Sequence, residues 1–138
     1  MYNFNGFTRR LFVALIFLIS PLLLLAPVTL GSLTLLPVEN LISYEPWASV
    51  AADFGFTAPD APHNPLLSDL ILENYVWKRF IVQAIEIREI PLWNPYLFSG
   101  VPFLASGQHS LLYPFSVIFY LLPLSSAYGW VMLSQYFL

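Results

Sequence analysis

Asp69 and Glu73 lie four residues apart in the segment NPLLSDLILENYVWKRF, a spacing that puts both carboxylates on one face of any helix containing them. Such a pair has two chemistries open to it. It could hold a divalent cation such as Mg2+ or Mn2+, or one member could take a proton from an acceptor hydroxyl. Asp69 would stand near the positive end of that helix, which favours a carboxylate. The plain alternative is a solvated helix start. Lys78 and Arg79 follow in the same segment. Either could hold a lipid phosphate, and either could pair with Glu73, Glu86 or Glu89, although exposed pairs contribute little. His63 and His109 are the two histidines and read as phosphate ligands or as ordinary loop residues. Trp77, Trp93 and Tyr96 suit a membrane-surface anchor, and the same rings would suit a saccharide groove.

The rest of the chain excludes much. There is no cysteine, so no disulfide, thiolate zinc site or thiol nucleophile is available. The soluble-enzyme motifs G-x-G-x-x-G, H-E-x-x-H and G-x-S-x-G and the Walker loop are absent. The net charge is −3 and no basic stripe exists, which argues against a nucleic-acid partner. The 138 residues are 58% hydrophobic and only 9% charged. A soluble domain carries about 25% charged residues. So few charges cannot cover a water-exposed surface, and membrane lipid must solvate part of the chain.

The elements that would position these residues follow from the charge pattern. Residues 1–10 form a tail whose only charges are Arg9 and Arg10. Residues 11–38 carry no charge and are long enough to cross a bilayer, which takes about 20 apolar residues. Pro21 and Pro27 should kink this span or end it early. A cleaved signal peptide is the alternative, but the apolar run is longer than a usual signal core and no A-x-A site follows it. All 8 acidic residues fall between Glu39 and Glu89. The positive-inside rule therefore puts the tail in the cytoplasm and residues 39–109 outside, in an integral membrane protein.

Within that outer loop, Asn64 can cap a helix and Pro65 suits its first position, so a surface helix is expected over about 65–89, stopping before Pro91. Its apolar residues spread around most of the circumference, so it should lie against protein or the membrane surface. The block PLWNPYLFSGVPFLASGQHS is too rich in proline to be helical. Residues 110–124 read as a second, short transmembrane helix. Residues 127–138 read as the start of a third, cut within its crossing, so the chain is expected to be the N-terminal piece of a larger protein.

The order NPLLSDLILENYVWKRF, then IREIPLWNPYLFSGVPFLASGQHSLLYPFSVIFYLLP, resembles the N-terminal region of the YfhO-like bacterial membrane proteins, relatives of the C-fold (GT-C) glycosyltransferases. The resemblance runs from about Pro65 to Leu138, and the PLWNPY block followed by G-x-P is its most specific part. It implies an all-α, multi-spanning bundle with a large first extracytoplasmic loop. It also implies transfer of a sugar from a polyprenyl-phosphate donor to a glycan or polymer acceptor on the outer face. On this resemblance the acid near the reacting centre falls on Asp69, with Glu73 assisting. Asn64, Trp93, Asn94 and Tyr96 take supporting positions, and Lys78 or Arg79 contacts the donor phosphate. The chain departs from the family where Arg88-Glu89-Ile90 precede the block and where Glu73-Asn74 follow the acid. The competing expectation is a non-catalytic membrane protein, a lipid or polymer transporter or an envelope assembly scaffold.

Overall fold

A computed structural model describes residues 6–56 and 64–138. His63 and the first residues of the tail lie outside this range. The described chain is mostly helical, and its first element, α1 (Gly6–Thr29), has the length and composition to cross a membrane. At about 1.5 Å per residue its 24 residues reach about 36 Å, against a hydrocarbon core of about 30 Å. The helix runs through both Pro21 and Pro27 without ending at either. It closes at Thr29, whose hydroxyl donates to the Leu25 carbonyl at 2.9 Å, rather than continuing to Val38. Gly31 then passes so close beneath the Pro27 carbonyl that a Cβ there would lie 2.4 Å from its oxygen. The chain is thereby turned off the helix axis.

Most of α1 exposes large apolar side chains, among them Phe12, Phe17, Leu23 and Leu24. Only Pro21, Leu25 and Val28 are buried, on the stripe that meets α5 (Leu124–Gln135). Gly129 permits that meeting, because a Cβ there would fall 2.5 Å from Val28 Cγ1. The Thr34 hydroxyl ties the following turn to α5 by donating to the Ser125 carbonyl at 2.8 Å.

After a 3-10 segment at Val38–Ser43, the short helix α2 (Trp47–Val50) and a 3-10 turn at Ala51–Phe54, the chain builds its next long helix from Asn64. Asn64 caps it as expected: its side-chain oxygen accepts the Leu66 amide at 3.1 Å, and Pro65 follows at the first position. The helix is not uniform. It opens with a 3-10 turn at Pro65–Leu67, widens to a π-helical turn at Leu70–Asn74 and settles into α3 (Tyr75–Glu86). It ends short of Glu89 because Arg88 turns left-handed, at φ 59°. The amides of Arg88 and Glu89 bond back to the Ile85 and Ala84 carbonyls at 2.9 and 2.8 Å, a Schellman closure.

Two further expectations meet a different structure. The proline-rich block contains a small antiparallel hairpin, β1 (Trp93–Asn94) with β2 (Val101–Pro102), paired as Trp93 with Pro102 and Asn94 with Val101. The described chain stays mostly helical, and this pair of two-residue strands is the exception within it. Residues 110–124 are not one continuous helix. A 3-10 turn at Pro114–Ser116 leads into α4 (Val117–Leu121), whose five residues rise only about 7.5 Å. The causes are local: Ser110 has φ 51°, Pro114 blocks a helix upstream, and Leu122 is extended ahead of Pro123. α5 begins at Leu124, earlier than the expected 127. The core that joins these pieces contains Leu36, Ile71, Phe119, Leu124, Ala127 and Tyr128.

Candidate functional site

The site residues divide around the helix formed by the π-helical turn and α3. Ile71, Lys78, Ile81 and Ala84 are buried inward. Glu73, Val76, Trp77, Phe80 and Gln83 recur at helical spacing on another face and line a groove of about 570 Å3. The hairpin supplies the groove's second wall through Asn94, Tyr96, Leu97 and Phe98, and Gln108 adds an amide. Four of the expected site residues, Glu73, Arg79, Asn94 and Tyr96, are thus brought together.

The hairpin wall is held from within. Asn94 is only 4% exposed, and its Oδ1 accepts the Tyr96 amide at 2.9 Å, which fixes the turn after β1. The Tyr96 ring meets Phe80 edge-on at 6.0 Å between centroids, and Phe80 in turn meets Phe103 edge-on at 4.9 Å. Gly100, at φ 116°, lets the Trp93 indole lie against it, since a Cβ there would fall 2.5 Å from the indole nitrogen. Trp93 does not line the groove itself. It lies in a neighbouring concavity that shares Phe80, Gln83 and Tyr96 with it.

Lys78 and Arg79 are adjacent in sequence and opposite in role. Arg79 is exposed and reaches the groove. Lys78 is 2% exposed, and its Nζ donates to the His109 carbonyl at 2.6 Å and to Ser110 Oγ at 2.7 Å. The same nitrogen stands 4.6 Å from the centre of the Phe119 ring. Burial lowers the pKa of Lys78 from 10.5 to about 8. In this arrangement Lys78 joins α3 to the 109–110 turn and does not face the groove. Of Lys78 and Arg79, it is Arg79 that lines the groove.

His109 is the centre of a buried cluster rather than a surface loop residue. Its ring is stacked on Phe103 at 4.2 Å. Nδ1 accepts the Leu111 amide at 3.0 Å, so the proton sits on Nε2, which donates to the Phe103 carbonyl at 2.8 Å. Both ring nitrogens are used within the fold.

Asp69 is exposed in the turn just before the π-helical segment, outside the residues that line the groove. Among the described residues no group of three or more His, Asp or Glu side chains is placed to hold a metal ion, so Asp69 and Glu73 gain no third ligand there. Asn64 serves the helix start, through its cap and through its carbonyl, which accepts from Asn40 Nδ2 at 2.8 Å. Asn40, 2% exposed, also donates to Ser68 Oγ at 3.1 Å. Asn74 Oδ1 accepts the Tyr128 hydroxyl at 2.9 Å, tying the π-helical turn to α5. Sequence reasoning missed Asn40, Ser68 and Tyr128, whose partners are far along the chain.

The groove can take a ligand with a polar head and an apolar body. Glu73, Arg79, Asn94 and the two Gln amides offer acceptors, a cation and donors, while Leu72, Val76, Leu97 and Phe98 offer apolar surface. No family model, no curated protein and no solved structure matches the chain.

Proposed function

We propose that this chain supplies the first membrane helix and the first outer segment of a membrane glycosyltransferase of the C-fold type. In this reading the tail is cytoplasmic, the outer segment lies on the extracytoplasmic face, and the donor is a sugar linked to a polyprenyl phosphate. The observation that carries the proposal is the convergence of Glu73, Arg79, Asn94 and Tyr96 on one groove, in a chain whose first helix can span a membrane. The resemblance of the PLWNPY block supports the reaction class.

Glu73 is the general base of the proposed step. Its carboxylate takes the proton of the acceptor hydroxyl, the acceptor oxygen bonds to the anomeric carbon, and the bond from that carbon to the phosphate oxygen breaks. Arg79 offsets the charge that develops on the departing phosphate. Tyr96 and Trp77 give ring faces for the sugar. Asp69 is the alternative base, and the two carboxylates can be separated by substitution. The protein at its native length, in its own membranes, is assayed for transfer from a lipid-linked sugar. Glu73→Gln should abolish transfer while membrane insertion is kept. Loss with Asp69→Asn and none with Glu73→Gln would move the role to Asp69. Full transfer by both variants would sink the enzyme reading and favour the scaffold or transporter.

A further inference from the structure

The concavity beside the groove has a different chemistry. It holds about 670 Å3 and lies between the C-terminal end of α3 and the approach to the hairpin. Its lining includes the rings of Phe80, Trp93 and Tyr96, the amide of Gln83 and the carboxylates of Glu86 and Glu89, and no Lys or Arg. We infer that this concavity binds an organic ammonium group, with the aromatic rings as its walls and Glu86 and Glu89 as its counter-charge.

Two features of the fold support this occupant. The first is the position of the charge. Glu86 closes α3 and Glu89 follows it, with no basic residue in the last turn. The end of a helix carries partial negative charge, so carboxylates there are unfavourable without a cation to offset them. The Schellman closure brings Glu89 back over the helix end, where both acids line the concavity, whereas Arg88 does not line it. A bound cation would supply the missing partner.

The second feature is that each ring is braced on one side by the fold, while Trp93 and Tyr96 keep exposed surface for a ligand. Trp93 is seated against Gly100, Phe80 is wedged between Tyr96 and Phe103, and the Tyr96 amide is tied to Asn94. Ring faces held in place around a space lined by carboxylates suit an alkylated ammonium, because the ring quadrupole attracts a cation that carries little bound water. A small inorganic cation would lose more of its hydration on entering. This inference does not depend on sugar transfer, since it concerns a different ligand charge and a concavity that adjoins the groove through Phe80, Gln83 and Tyr96.

Trp93 gives the concavity its own optical reporter. The protein is placed in nanodiscs of phosphatidylglycerol, a lipid without an ammonium group, and titrated with tetramethylammonium chloride at constant ionic strength. A saturable change in tryptophan emission is expected. It should be at least about tenfold weaker in the Glu86→Gln/Glu89→Gln double variant and lost in Trp93→Phe. Both glutamates are exposed, so the double variant should keep the helix content of the parent, checked by circular dichroism. Repeating the titration in phosphatidylcholine nanodiscs distinguishes two sources of the cation: a weaker apparent affinity means a lipid headgroup already competes, and an unchanged one means a soluble ligand. Either result supports the site. An equal response to sodium chloride, or an unaltered response in the double variant, would overturn it.

Discussion

The Lys78 ammonium donates to the carbonyl of His109 at 2.6 Å, and this buried bond fastens the helix that carries the groove to the turn beneath it. The His109 ring stacks on Phe103, Phe103 meets Phe80, and Phe80 meets Tyr96. A chain of contacts therefore runs from a buried cation to the groove wall. Replacing Lys78 by Met keeps the volume and removes the donor, leaving the His109 carbonyl and the Ser110 hydroxyl without it. The expected cost at neutral pH is about 2 kcal/mol, read from thermal unfolding in detergent. A Met variant as stable as the parent would mean that burying the charge costs as much as its bonds return.

Lys78 also makes stability depend on pH in a defined direction. Its pKa in the fold is about 8, below the ordinary 10.5, so between these values the unfolded chain binds more protons than the folded one. Stability should therefore rise as pH increases from about 8 towards 10.5, and the full cost of the buried charge should be present below pH 8. Melting temperatures taken between pH 8 and about 9.5 should climb in the parent and stay flat in Lys78→Met. Parallel profiles in the two proteins would count against this origin.

Gly129 and Val28 set the distance between α1 and α5. A methyl group at 129 would meet Val28 Cγ1 at 2.5 Å, and the short branched valine has little room to swing aside. Gly129→Ala should lower stability by about 1–3 kcal/mol, and adding Val28→Ala should recover much of it. A double variant no better than the single one would place the strain elsewhere.

Gly100 carries two demands, a φ of 116° and room for the Trp93 indole. Gly100→Ala should cost about 1–3 kcal/mol and shift tryptophan emission as the ring leaves its seat. Unchanged emission would show that the indole does not depend on the glycine.

Asn94 can be tested by two substitutions with opposite consequences for the hairpin. Asn94→Asp keeps an oxygen for the Tyr96 amide, while Asn94→Ala removes it. The alanine variant should lose about 1 kcal/mol and weaken the near-ultraviolet signal of the aromatic wall. The aspartate variant should keep the near-ultraviolet signal, although a carboxylate at a position only 4% exposed costs stability of its own. Equal losses of that signal would mean that burial of the amide, not the turn bond, is what matters.

Much of the local architecture was legible because it rests on near neighbours. Asn64-Pro65 announced a helix start and the uncharged run after Arg10 announced a membrane-length helix, whereas the helix before Pro91 ends at Glu86 through the left-handed Arg88. Members of the groove lining were legible too: Glu73, Arg79 and Tyr96 stand out by residue type, and the family resemblance adds Asn94. What could not be read was the division between Lys78 and Arg79. Adjacent residues on a helix differ by about 100° in direction, and which one turns inward depends on what packs there. The buried ring of His109 was hidden for the same reason: its partners Phe103 and Leu111 are close in sequence, but only the fold encloses them. A continuous helix over 110–124 is interrupted by proline and left-handed backbone that hydropathy ignores.

The π-helical turn at Leu70–Asn74 amounts to one residue more than an α-helix of the same span would need. It works as a phase adjuster between the capped start of the helix and the groove-bearing α3. Deleting a single residue within it would restore regular α geometry and rotate everything before it, Asp69 and Asn64 included, by about 100° relative to the groove. The orientation of Asp69 towards or away from a ligand in that groove is thus held in the length of one turn, and a one-residue indel could change it while the part of the lining that α3 supplies stays as it is.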